Sequence, residues 1–255
     1  MYDHVSYEEN GGIAKLEIDR PDVYNAFTLQ TIDELNDALQ RAEQDEIFAL
    51  TLTGAGEGFC TGADVSAMPD WPELSKDEYA SFLRDVQSVV QRLRGPAVPS
   101  VAAVDGPAVG AGCDFALACD ARFIHPDAFL REGFVRVGLV PGDGGAWLLP
   151  KLIGESKARE YLLTGDDITA SDADDLGLVV DVTGEPLQAA IDFAECIRDL
   201  PATAVQRTNQ LIDMESTFDE HCEQAIDYQW ECINDPEHEE AVAALWEDRQ
   251  PSYDR

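Results

Sequence analysis

The sequence predicts an α/β core followed by a helical C-terminal region. Three observations point there. Short apolar or alternating runs, each about one strand long, precede stretches with apolar residues at helical spacing. Glycine-punctuated turns join strand ends to helix starts. Beyond Pro186 only helical patterns remain. Strand–helix repetition ending in a helical tail implies an α/β core, here residues 1–185, with a helical region over 186–255.

The elements follow in order. Ile13 to Ile18 alternates apolar and polar side chains, a half-buried strand. Thr28 can cap a helix that puts Leu29, Ile32, Leu35 and Leu39 on one face. Phe48 to Thr53 is a short strand ending at Gly54-Ala55-Gly56-Glu57-Gly58. Ser75 and Glu78 form a capping box, opening a helix through Phe82, Val86, Val89, Val90 and Leu93. Pro96 and Pro99 end it. Ser100 to Val104 is an apolar strand, Gly106 to Gly112 a glycine-rich turn, and a helix runs on to Ala118. Helices are expected over 155–163, 186–200, 202–214, 217–234 and 236–247. No internal repeat, low-complexity tract or long linker interrupts this order.

With 45% apolar residues in 255, the chain can bury a sizeable core. Its charge is lopsided: 51 acidic residues against 17 basic ones, a net −34. Phosphate-backbone binding needs Lys and Arg, so nucleic acid is excluded as a partner. No apolar run approaches the length of a membrane span, and Met1 to Ser6 has no secretory signal pattern, so a cytoplasmic protein with no membrane partner is expected. The six cysteines form no CxxC pair and have no histidine cluster nearby, so no metal site is expected. Cys113 and Cys119 read as buried thiols. Acid spread along the whole chain, with only Lys15, Lys76, Lys151 and Lys157 as lysines, resembles cytosolic proteins of salt-loving organisms.

Three segments look chemical. Gly58-Phe59-Cys60-Thr61-Gly62-Ala63-Asp64-Val65 follows a strand, and its small residues let a ligand approach the main chain. A structural turn explains such a loop equally well. In Ala103 to Asp114 a strand runs through a glycine-rich turn into a helix, whose free amides could hold an oxyanion or a phosphate. It matches neither the phosphate loop nor the dinucleotide turn, and tight helix packing is the alternative. Gly138 to Pro150 is a turn leading into a helix, with Asp143 as a lone acid or a turn residue.

Taken together, in this order and spacing, the segments resemble the crotonase (enoyl-CoA hydratase/isomerase) superfamily. The resemblance extends to Asp19-Arg20-Pro21-Asp22-Val23-Tyr24-Asn25-Ala26-Phe27, to 163–170, to Asp175-Leu176-Gly177-Leu178-Val179 and to 244–251. It implies a spiral of ββα units with a C-terminal helical region that mediates trimerisation, alone or as a hexamer. It implies an acyl-CoA substrate, with coenzyme A as part of that substrate and no other cofactor. The amides of Ala63 and Ala111 fall on the two positions of an oxyanion hole. Ala26, Asp64 and Val65 fall on the substrate site, and Asp114 on the first of two glutamates that hydratases of the family use.

The second glutamate position falls on Phe134, which cannot carry a proton. Asp143 and Glu132 are the candidate replacements. Asp143 is preferred because it lies in a turn where some relatives carry a functional Asp, one position earlier. Glu132 would share a face with Phe134 if the chain is extended there. Phe134 is then part of the acyl pocket. In the tail, Asp248-Arg249-Gln250 stands where many relatives have basic residues that meet the CoA phosphates, leaving Arg249 for that role. Hydration of a 2-enoyl-CoA in fatty-acid or related acyl-CoA catabolism is narrowly preferred to double-bond isomerisation, and a non-catalytic CoA-binding role comes last. The charge generates a first expectation. Unscreened at low salt, −34 should destabilise the fold, so its Tm should rise from dilute buffer to molar KCl. Equal Tm values would contradict this.

Overall fold

A computed structural model describes residues 2–44, 46–95 and 97–253. The chain opens with β1 (Val5–Asn10) and β2 (Ile13–Ile18), an antiparallel pair. Thr28 precedes α1 (Leu29–Gln44), which buries Ile32, Leu35, Ala38 and Leu39. Next come β3 (Ala49–Gly54), α2 (Lys76–Leu93) with its Ser75–Glu78 capping box, and β4 (Ser100–Val104). Pro96, expected to help end α2, lies outside the described residues.

The Gly106–Gly112 turn contains β5 (Ala108–Val109) and leads into α3 (Ala111–Ala118). Strands β6 (Ala121–Ile124) and β7 (Phe129–Arg131) follow, then α4 (Gly145–Ile153) and α5 (Glu155–Thr164). After β8 (Ile168–Thr169), α6 (Ala170–Asp175) and β9 (Asp181–Val182), the chain is helical: α7 (Pro186–Arg198), α8 (Ala202–Asp213), α9 (Phe218–Ile233) and α10 (Pro236–Glu247).

The main sheet has the order β1-β2-β3-β4-β6-β9, parallel from β2 onward. A second sheet, β5-β7-β8, lies outside it and was not legible as strands in the sequence. Leu16, Ile18, Leu50, Leu52 and Val104 join the α1, α2 and α3 side chains in the larger core. Full burial of one such side chain is worth ~1.5–3 kcal/mol. Helix α7 covers the other face, where Ala190 and Phe193 meet Val101, Ala103 and Phe123. It is therefore packed on the sheet, although the sequence groups it with the helical region. Among the described residues no helix is long and apolar enough to cross a membrane.

One buried residue ties the first loop to the sheet. Asn25 is fully buried in the left-handed region, at φ 58°. Its amide donates to the carbonyls of Ala55 (2.9 Å) and Gly58 (2.6 Å), and its oxygen accepts from Arg20 N–H (2.8 Å). Asn25→Ala would orphan three backbone groups, the Gly58 carbonyl fully buried and the other two partly so, in a conformation that alanine disfavours. The expected loss is about 3 kcal/mol or more in a denaturant titration. A loss below about 1 kcal/mol would contradict that account.

Candidate active site

Two stretches of main chain meet without side chains between them. Phe27 bridges Ala63, and Cys60 bridges Ala108. Phe27 N–H donates to Gly62 O (2.8 Å), Asp64 N–H to Phe27 O (2.9 Å) and Val109 N–H to Cys60 O (2.9 Å). Gly112 is required by this approach, since a Cβ there would overlap the Cys60 carbonyl. At Gly62, with φ +84°, a Cβ would lie 2.9 Å from Val109 O and 3.6 Å from Ala111 N. The amides of residues 63 and 111 are thus brought close together. Among the described residues no backbone carbonyl takes either N–H. Ala111 also begins α3, at the positive end of its dipole.

Both alanines line a cavity of ≈ 340 Å³. The loop that carries Ala63 is braced from behind. Arg20 donates to the Ala26 carbonyl and pairs with Asp64 at 3.4 Å. Asp64 accepts from Ser66 N–H (3.0 Å) and Ser66 Oγ (2.7 Å), and these bonds, then Arg20, hold its carboxyl below the usual range. Ala26 is buried, and Val65 is 70% exposed at the cavity rim. The cavity wall is largely aromatic. Trp71, Tyr79 and Phe82 pack on one another with centroids 5.8–6.2 Å apart, and Phe134 closes the wall near Gly110.

The acids divide into two groups. Asp143 lines the cavity, and burial pushes its carboxyl up to about 6. Its turn is pinned to α2 by Gln87, whose amide donates to Gly142 O (2.7 Å). Asp114 and Glu132 are fully buried and do not line the cavity. A Cβ on Gly145 would overlap a carboxyl oxygen of each, so the two face one another across that residue. Nothing among the described residues donates to them; the Gly145 amide and the Cys113 thiol are near but lack hydrogen-bond geometry. Burial, and then the charge of Glu132, push Asp114 well up, and burial raises Glu132. A raised carboxyl binds its proton more tightly in the folded chain. The stability this gives Asp143 is complete below pH 3.8 and is lost as pH rises through about 6.

Some expectations change here. Glu132 and Phe134 do not share an extended face. Residues Gly133–Val137 form a short 3-10 helix with Glu132 at its N-cap, which turns Glu132 inward to Asp114 and Phe134 out to the cavity. Arg249, expected at the CoA phosphates, pairs with Glu240 and Glu247 of its own chain outside the lining of this cavity, which leaves that expectation untouched. Tyr79 went unnoticed in the sequence. The signal was present, because Tyr79, Phe82, Leu83 and Val86 repeat at helical spacing on α2 and all face the cavity.

Residues 8–255 match the family model described as enoyl-CoA hydratase/isomerase. The chain is 32% identical over 253 residues to the short-chain-enoyl-CoA hydratase of Clostridium acetobutylicum, covering 97% of this chain and 96% of that protein. It is 30% identical over 265 residues to an enoyl-CoA isomerase/hydratase of Mycosarcoma maydis, covering 97% and 94%. The crystal structure of an enoyl-CoA hydratase from Bacillus anthracis superposes with a TM-score of 0.92 at 27% identity, over 98% of this chain and 99% of that one. The fold is accordingly the two-sheet α/β crotonase fold with C-terminal helices, and the chain belongs to the enoyl-CoA hydratase/isomerase family.

Proposed function

We propose that the protein shifts the double bond of a 3-enoyl-CoA into conjugation with its thioester. One observation carries this reading. Among the described residues, Asp143 is the one carboxyl lining the cavity that also holds the Ala63 and Ala111 amides. The thioester oxygen would accept both N–H groups, and one such donor is typically worth ~3 kcal/mol as charge develops. As a carboxylate, Asp143 takes a proton from carbon 2, leaving an enolate held by the two amides. It returns the proton to carbon 4, and the double bond moves to carbons 2 and 3. A carboxyl that titrates near 6 can both take and give a proton near neutrality. Phe134 and the Trp71–Tyr79–Phe82 wall would hold the acyl group.

Hydration of a 2-enoyl-CoA is the second reading. Tyr79 shares the cavity, and its hydroxyl is pushed up first by burial and then by the Asp143 charge. A water needs two or more polar partners, and these two groups could supply them. The hydratase name of the Clostridium acetobutylicum relative supports this reading, and the name of the Mycosarcoma maydis relative supports both. Parallel assays of crotonyl-CoA and a 3-enoyl-CoA in molar KCl separate them. Isomerisation should be at least tenfold the faster reaction, whereas faster hydration would reverse the order. Asp143→Asn should lower turnover by ~10²-fold or more. Wild-type kcat/KM should rise as pH passes about 6, because Asp143 acts as a base. An active Asp143→Asn enzyme would contradict either reading.

We also propose self-association as a homotrimer or a dimer of trimers. Phe218, Ile226 and Trp230 of α9 and Leu245 and Trp246 of α10 are each more than 60% exposed, which is costly for a free surface. Light scattering in molar KCl should give a trimer or hexamer mass, and a monomer would contradict it.

A further inference from the structure

The Asp114–Glu132 pair is the least satisfied polar feature of the described residues: four carboxyl oxygens, fully buried, without a donor. Ionised carboxylates only accept hydrogen bonds, so two facing one another in a dry site repel and neither is satisfied. One proton between them resolves this, because the protonated acid becomes a donor to the other.

Their location decides what such a pair can do. Asp114 projects from the first turn of α3 and Glu132 from the N-cap of the short 133–137 helix. They meet at Gly145, the first residue of α4, two residues beyond Asp143. The titratable groups around them are few. Cys113 comes from α3 and Asp143 from the turn before α4, while Tyr79 on α2 faces Asp143 from the other side. Gly145 has no room for a side chain because the two carboxyls occupy it. The pair is therefore the packing partner of the α4 start, and hence of the Asp143 turn.

We propose that Asp114 and Glu132 share a proton in a closed pair that positions the Asp143 turn and exchanges no proton with the substrate. The pair lies behind the cavity wall, not in it. Its members are positioning residues, and Asp143 alone reaches the reacting carbons. This rests on the proposed role of Asp143, and the test keeps the two apart.

Asp114→Asn, Glu132→Gln and Asp143→Asn are assayed on the preferred enoyl-CoA across pH in molar KCl. An amide can donate to the remaining acid, so each of the first two variants keeps a closed contact. Their kcat/KM should fall by less than tenfold. The pair with its shared proton carries one negative charge, and so does either variant, whose remaining carboxylate accepts from the new amide. The acid limb of kcat/KM should therefore stay where Asp143 sets it, while the protonated carboxyl band of the wild-type protein should be lost in either variant, which a purely structural contact would not do. A hundredfold loss of kcat in Asp114→Asn or Glu132→Gln at unchanged Tm would overturn the proposal, because that residue would be transferring protons itself. A limb that shifts by about a pH unit or more, or a protonated carboxyl band that survives in both variants, would overturn it too. Asp143→Asn should lose ~10²-fold or more in either case, so an active Asp143→Asn enzyme refutes the proposed function rather than the pair alone. Infrared difference spectroscopy keeps the proposal testable if the variants fail to fold. The wild-type protein at pH 7 should show a protonated carboxyl band, and its absence would overturn the shared proton.

Discussion

The site depends on one close approach of backbone to backbone. The 58–63 loop and the start of α3 come together only because Gly62 and Gly112 have no Cβ. Each small residue there does two things. It lets the chains touch, and it leaves the Ala63 and Ala111 amides unclaimed by carbonyls on the cavity side. Helix α3 can begin so close to the loop because α1 and α2 bury the same core from the side. Asn25 then fixes the loop from behind through the Ala55 and Gly58 carbonyls, and Arg20 through the Asp64 carboxylate.

Burial of acids is the second constraint. A carboxyl taken from water into an apolar wall loses hydration and holds its proton more tightly. For Asp143 that cost brings its titration near neutrality, where proton exchange with a carbon acid is practical. For Asp114 and Glu132 the same cost falls on two groups at once, and they answer it with each other. Stability is lost with rising pH as such buried carboxyls are made to ionise.

Much of this was legible in the sequence. The strand at 13–18, the capping box at Ser75–Glu78 and the helical tail follow from short-range rules of period and capping, and they appear as expected. The cluster of Ala63, Ala111, Phe134 and Asp143 about one cavity also agrees with the order of the motifs. The rest was hidden for physical reasons. Strands β5, β7 and β8 are two or three residues long, too short for any periodicity to show. Glu132 depends on a single turn of 3-10 helix, which reverses the face an extended chain would present. Its contact with Asp114 joins residues on different elements, which spacing along the chain does not encode.

The central claim is that Asp143 moves a proton at the carbon next to a thioester held by two amides. Deuterium exchange at carbon 2 of a saturated acyl-CoA tests this without requiring hydration or isomerisation. Followed by NMR in deuterated buffer with molar KCl, the wild-type protein should catalyse the exchange and Asp143→Asn should not. Exchange that persists at the wild-type rate in Asp143→Asn would contradict the account.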